Sequence, residues 1–80
     1  MSRYSRARLN QEADRFEAEA KRYDEAARDG EQAAKNPQLG DAERQVASRA
    51  VPLHRRNARD FRVIAAALHA GEIPDGVQLD

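Results

Sequence analysis

The amino-acid sequence predicts an all-α protein, an antiparallel helical hairpin with an alanine-rich heptad seam. Three observations predict it: a seven-residue repeat in the first half of the chain, one clear interior break at 36–40, and a second stretch of the same spacing after it. Charged residues make up 35% of the 80-residue chain, and together with abundant Ala, Arg and Glu this composition is typical of long helices and coiled coils. The length leaves room for one domain, over residues 1–80.

The first helix is predicted over about residues 3–35 and carries the repeat. Within 9–36, heptad position d holds Leu9, Phe16, Tyr23 and Gly30. Position a is always alanine, at Ala13, Ala20, Ala27 and Ala34. Because the spacings alternate between three and four, both sets lie on one stripe of the helix. Ser2 or Ser5 is predicted to cap its start, and Asn36 ends it, because a residue before proline avoids the α region.

The second helix is predicted over about residues 41–70. Asp41 is expected as its N-cap and Gly71 as its C-cap residue. Pro52 falls inside this helix, where proline removes a hydrogen bond and clashes with the preceding turn. We therefore expect a kink or a short break near 50–52, and a three-helix arrangement is the alternative.

The two stripes face each other when the numbers of opposite residues add up to 81. Every layer then places a small residue opposite a larger one, such as Ala20 opposite Phe61 and Ala27 opposite His54. Acidic residues of the first helix come near arginines of the second, as the pairs Glu17–Arg62 and Asp24–Arg55. Such layers resemble, in architecture, the alanine coils of plasmid copy-control hairpins. His54 is predicted to be a hydrogen-bonded core histidine, with a pH-sensitive switch as the alternative.

The second helix has more apolar residues than this seam uses. The surplus lies beside the stripe, at Val46, Ala50, Leu53, Ile64 and Ala67. Three explanations for this apolar surface are considered. The C-terminal tail 71–80 packs on it, unless the tail is loose; a second copy of the chain covers it in a four-helix bundle; or another protein binds there. We favour the homodimer, because exposed apolar faces on helical hairpins commonly pack into bundles.

No catalytic or metal-binding constellation is recognisable in the sequence. There is no cysteine, and the four glycines are scattered instead of forming a phosphate-binding loop. His54 and His69 would lie about 22 Å apart on one helix, at about 1.5 Å per residue, so they cannot share a metal. Acidic residues of the first helix are interpreted as partners in seam ion pairs. We predict no enzyme activity, no cofactor and no metal.

Arginines crowd the second helix, and three of them are predicted to point outwards: Arg49, Arg56 and Arg59. The interpretation we favour is a non-enzymatic protein-binding module, such as a phage- or plasmid-type modulator or inhibitor that docks on a larger protein machine. Its predicted contact residues are Arg49, Arg56, Arg59, Val46, Leu53 and Ile64. The alternative is an RNA- or DNA-binding regulator that uses the same arginines. The zero net charge and the absence of interleaved aromatic residues favour the protein partner.

The sequence also carries expectations about location and source. Its basic first residues are not followed by an apolar run, so no signal peptide is predicted. The longest apolar stretch, Val63 to Leu68, is too short to span a bilayer. We therefore expect a cytoplasmic protein, and the bias towards alanine and arginine is typical of a bacterial or phage genome.

Overall fold

A computed structural model describes residues 3–79, and two α-helices lie within them. α1 is Arg6–Ala34 and α2 is Asp41–His69. The helices lie antiparallel along each other and form a rod whose principal extents are 55 × 19 × 18 Å. The predicted all-α hairpin is confirmed.

α1 begins one turn after the start of the described chain because Ser5 caps it. The Ser5 Oγ accepts a hydrogen bond from the backbone N–H of Arg8 at 3.1 Å, which satisfies one of the free donors of the first turn. Ser2, the other predicted cap, lies outside the described residues. The helix ends at Ala34, two residues before Asn36 and its proline neighbour.

The turn between the helices is held by an arginine. The Arg44 guanidinium donates to the backbone oxygens of Asn36 at 3.1 Å and Leu39 at 2.6 Å, and it also pairs with the Asp41 carboxylate. The prediction that Asp41 is the N-cap is wrong. Gly40 occupies that position without a side-chain bond, and Asp41 is the first helical residue. The Asp41 carboxylate is engaged instead by Arg44, three residues further along the helix.

α2 continues through Pro52 as a single helix of 29 residues. Of the two expectations for 50–52, the short break is wrong and the kink stays a prediction; no third helix occurs within residues 3–79. Pro52 is exposed on the side away from α1, so its ring meets solvent and the seam stays intact. Packing against α1 on both sides of Pro52 offsets the missing backbone hydrogen bond.

The core is a narrow stripe of alanines closed at one end by two leucines. Its fully buried members are Leu9, Ala13, Ala20, Ala27, Ala58, Ala65 and Leu68, each no more than 1% exposed. Five alanines of the predicted seam are thus fully buried, whereas Ala34 and Ala47, nearest the turn, are only half-buried. Neither helix in the described part of the chain is apolar over enough residues to cross a membrane.

The aromatic rings report the register of the two helices. The Phe61 ring lies between the rings of Phe16 and Tyr23, with a centroid distance of 5.6 Å to each, so it sits at the level of Ala20. Further towards the turn, a Cβ added to Gly30 would lie 3.0 Å from the Val51 side chain. Both contacts agree with opposite residues whose numbers add up to 81.

The C-terminal end of α2 is closed by a glycine in the left-handed region. Gly71, at φ +88°, follows the C-cap residue Ala70, so the predicted cap is displaced by one position. The backbone N–H groups of Gly71 and Glu72 donate to the carbonyl oxygens of Leu68 and Ala67 at 3.0 and 2.9 Å. These two bonds form a Schellman motif, which requires a positive φ at the Gly71 position.

The tail then packs back on the open end of the hairpin. Leu79 and Ile64 pack against the cluster formed by Leu9, Ala13, Ala65 and Leu68. The Tyr4 hydroxyl donates to the backbone oxygen of Leu79 at 2.9 Å, which ties the segment before α1 to the tail. Of the two expectations for the tail, packing is the one observed.

We predict that Ala20→Leu destabilises the hairpin by about 1–3 kcal/mol, because the added atoms have no room beneath the Phe61 ring. Urea unfolding followed by circular dichroism measures the change. Ala18→Leu is the matched control, since Ala18 is exposed on the same helix and should be almost neutral. Equal unfolding midpoints for Ala20→Leu and the wild type would contradict a close-packed seam.

We also predict that Pro52→Ala stabilises the protein by about 1–3 kcal/mol, because it restores a backbone donor and a good helix former at an exposed helical position. The same unfolding experiment measures it. Gln45→Ala, one heptad earlier and also exposed, should change stability by no more than about 0.5 kcal/mol. A Pro52→Ala variant less stable than the wild type would show that α2 depends on the proline ring.

Candidate partner-binding face

A stripe of exposed residues runs along α2 on the side away from the seam, and we call it the outer face of α2. Its members are Val46, Arg49, Leu53, Arg56, Asp60 and Val63. They are spaced alternately by three and four residues, so they stay on one side of the helix. At about 1.5 Å per residue, the stripe is about 26 Å long.

Three apolar side chains on this face are open to solvent. Val46 is 67% exposed, Leu53 57% and Val63 64%. A single exposed apolar residue is ordinary on a protein surface, whereas an aligned set is a candidate docking surface. Val63 was not among the predicted contact residues; its 3–4 spacing from Asp60 and Arg56 is the signal that could have found it.

The charged side chains of the outer face are unpaired. Within residues 3–79, Arg49, Arg56 and Asp60 are exposed and form no ion pair, and the same is true of Arg59 at the edge of the face. The structure thus places the three predicted outward arginines in solvent. Since no intramolecular carboxylate engages them, their guanidinium groups are free to bind a partner.

Ile64 is separated from the other predicted contact residues. It is half-buried and packs on the core cluster of the hairpin, in the region that the tail residue Leu79 also covers. The tail thus covers part of the surplus apolar surface at the open end of the hairpin. Val46 and Leu53, nearer the turn, remain uncovered.

Ion pairs line one side of the seam, but their partners differ from the predicted ones. The direct ion pairs are Arg62–Asp24 and Arg55–Glu31, one heptad away from the predicted neighbours Glu17–Arg62 and Asp24–Arg55. Arg55 nevertheless acts on Asp24 electrostatically, as the predicted proximity of these two residues implies. Helical side chains lean towards the N-terminus of their own helix. In an antiparallel pair this lean brings Arg62 and Asp24 together, whereas Arg62 and Glu17 lean apart.

These pairs set the protonation of the acidic residues. The hydrogen bond from Arg62 lowers the pKa of Asp24 below its ordinary 3.8, and the hydrogen bond from Arg55 lowers the pKa of Glu31 below its ordinary 4.5. In return, the Glu31 carboxylate raises the pKa of Arg55. Arg55 and Arg62 thus form ion pairs within the hairpin, whereas the arginines of the outer face do not.

At the open end, His69 of α2 lies beside two acidic residues of α1, a contact that was not predicted. Its Nε2 lies 3.6 Å from Asp14 Oδ1 and 3.7 Å from Glu17 Oε1, and its Nδ1 lies 3.2 Å from Asn10 Oδ1. The ligand atoms of His69, Asp14 and Glu17 lie close enough together to bind a divalent cation. Asp14 and Glu17 are exposed, and His69 is half-buried.

Two polar groups are buried without complete partners. The Glu12 side chain, in a residue that is 5% exposed, pairs with Arg8 at 3.1 Å and Arg15 at 3.5 Å, but its Oε2 accepts no hydrogen bond. His54 lies in the seam with its ring 6.1 Å from that of Tyr23. Its Nδ1 has no hydrogen-bond partner among the described residues, which corrects the predicted hydrogen bonding at that nitrogen.

We predict that acid weakens the hairpin through Asp24 and Glu31. A carboxyl group whose pKa is lowered by folding contributes stability above its ordinary pKa and loses that contribution as the pH falls through the folded value. The free energy of unfolding should therefore decrease as the pH falls from about 5 to about 3. The double variant Asp24→Asn/Glu31→Gln should lose less stability over this range.

Urea unfolding at several pH values measures this dependence. Glu25→Gln is the control, because Glu25 is exposed and forms no ion pair within residues 3–79. It should keep the pH dependence of the wild type. An unchanged dependence in the double variant would mean that the two cross-helix pairs contribute nothing to the acid response.

Comparison with known proteins gives no relative from which a function could be carried over. No family model matches the chain, and no curated protein or solved structure matches it significantly. Function has to be inferred from the surface of the hairpin itself.

Proposed function

We propose that this chain is a non-enzymatic protein-binding module that docks through the outer face of α2. The observation that carries the proposal is the row of Val46, Leu53 and Val63, each more than half exposed, interleaved with unpaired arginines. Interface centres combine apolar contact with arginine in this way. In the cell it would act as a small modulator or inhibitor of the phage or plasmid type, docked on a larger protein in the cytoplasm.

The composition of this face specifies the chemistry of the partner. Apolar side chains must fill the positions against Val46 and Leu53, and carboxylates must lie where Arg49, Arg56 and Arg59 can reach them. Arginine binds carboxylates through two parallel hydrogen bonds, so it gives orientation as well as attraction. The partner is therefore an apolar helix or groove bordered by Asp or Glu.

A helical hairpin supplies such a face ready for binding. The stacked rings of Phe16, Phe61 and Tyr23 lock α2 against α1 on the opposite side of the helix. Because α2 is already ordered, little backbone entropy is lost on docking. Self-association into a four-helix arrangement along α2 is part of the proposal, since a second hairpin offers the same kind of rigid helix.

RNA or DNA binding is the second candidate, and the exposure of Arg49, Arg56 and Arg59 favours it. Two observations weigh against it. The chain has no net positive charge. The rings of Phe16, Tyr23 and Phe61 stack on one another in the seam, so they offer no surface on which bases could stack.

The proposal is tested by selecting binders from a display library of random helical peptides. We expect selected peptides to carry apolar residues at spacings of three and four with Asp or Glu beside them. Leu53→Glu should weaken their binding at least about tenfold, because it buries a charge against apolar groups. Gln11→Glu, exposed on α1 and away from the outer face, is the matched control and should bind as the wild type does.

A parallel titration with random RNA and duplex DNA decides the second candidate. We expect no measurable binding near physiological salt. Salt-sensitive binding of nucleic acid that is lost in a variant with Arg49, Arg56 and Arg59 all changed to Glu would replace the protein-binding proposal. Peptides that bind Leu53→Glu as tightly as the wild type would show that the outer face is not the docking site.

A further inference from the structure

We infer that the outer face of α2 binds a second copy of itself, with the two α2 helices antiparallel about a two-fold axis. The inference rests on the proposed function, because the second copy occupies the same face, so that dimerisation and docking on a larger protein compete for it. It is carried by the order of residue types along the stripe. That order is self-complementary when read in opposite directions.

The spacing of the face is that of an antiparallel coiled coil. From Val46 to Val63 the intervals are three, four, three, four and three residues, and this repeat keeps a seam along one side of a helix. When two copies run in opposite directions, opposite residues have numbers that add up to 109. Val46 of each copy then lies opposite Val63 of the other, so both ends of the seam are apolar.

Charge complementarity sets this register. Arg49 of each copy lies opposite Asp60 of the other, and the pair forms twice by symmetry. Within one chain these residues are eleven positions apart, about 16 Å along the helix, too far to pair with each other. Both are exposed and unpaired in the single hairpin. The second copy therefore supplies the missing partner of each.

The centre of the seam lies between Leu53 and Arg56. The two Leu53 side chains are offset by three residues across the axis, about 4.5 Å along it, so they contact each other. The aliphatic part of each Arg56 covers the opposite Leu53, while its guanidinium group reaches the solvent at the edge. This single contact removes the exposed apolar side chains of Val46, Leu53 and Val63 from water in both copies.

The two-fold arrangement also closes on itself. Both copies contribute the same face to the contact, so the assembly stops at two chains and does not grow into a filament. The tail packs at the open end of the hairpin, on the core cluster that Ile64 also contacts, and it leaves the stripe from Val46 to Leu53 uncovered. With a contact of about five helical turns, we expect a dissociation constant in the micromolar range, as is typical of small interfaces.

Two opposite charge changes test the register. Arg49→Asp alone places a carboxylate opposite Asp60 at both symmetric positions, and Asp60→Arg alone places two arginines together in the same way. Each single variant should weaken self-association at least about tenfold relative to the wild type. An equimolar mixture of the two variants should form a heterodimer of wild-type affinity, because every facing pair is then of opposite charge.

Native mass spectrometry resolves the three dimers by mass, and sedimentation equilibrium gives their affinities. Lys21→Asp makes a similar charge reversal on α1, where Lys21 is exposed and away from the outer face of α2, and it should dimerise as the wild type does. Circular dichroism verifies that each variant is folded, which is expected because the substituted residues are exposed and away from the seam.

A wild type that remains a monomer at several hundred micromolar would overturn the inference, and so would a mixture that forms no heterodimer. The proposed function fails separately. If the wild type is monomeric while Leu53→Glu still abolishes binding of the selected peptides, the outer face binds protein other than itself. If Leu53→Glu changes neither peptide binding nor self-association, both proposals are wrong.

Discussion

The hairpin depends on the contact between a large ring and a small residue at the seam. Phe61 sits at the level of Ala20, flanked by Phe16 and Tyr23, and the alanines around it are fully buried. A methyl group is the largest side chain that lets the two backbones come this close. Once this layer is in place, the rotation and the register of both helices are set, and so is the environment of every other side chain.

The two sides of the molecule differ because of that rotation. Beside the seam, Arg55 and Arg62 reach acidic residues of α1 and are neutralised within the hairpin. On the outer face, arginines of the same helix project into solvent together with apolar residues. A chain with no net charge therefore presents a locally basic and apolar surface on one side of the hairpin.

Helices, turn and register could be predicted from the sequence because each follows from a strong local signal: the alanine repeat, the Asn36–Pro37 break, and the match of small and large residues. Ion-pair partners could not, since they depend on the direction in which long side chains lean, which spacing alone does not give. Asp41 does not act as the cap, and its carboxylate pairs instead with Arg44, a side-chain interaction one turn away that the capping signal does not reveal. Pro52 was expected to interrupt α2, but packing outweighs one missing backbone bond.

The candidate face was only partly predictable for a similar reason. Outward arginines follow from helical periodicity, and the structure places all three in solvent. Which apolar residues stay uncovered depends on the tail, whose course has no periodic signal. Leu79 packs with Ile64 on the core cluster, and Val63, its neighbour in sequence, is left exposed one position further around the helix.

The bond between Tyr4 and Leu79 has a further consequence for how the rod can be joined to other things. It brings the two ends of the described chain to the same end of the molecule, while the Arg44-braced turn lies at the other. A helix of 29 residues is about 44 Å long, so the turn and the open end of the hairpin lie about this far apart. A group attached at either end of the described chain would therefore leave from the open end of the hairpin. The part of α2 that carries Val46 and Arg49 lies far from that attachment point.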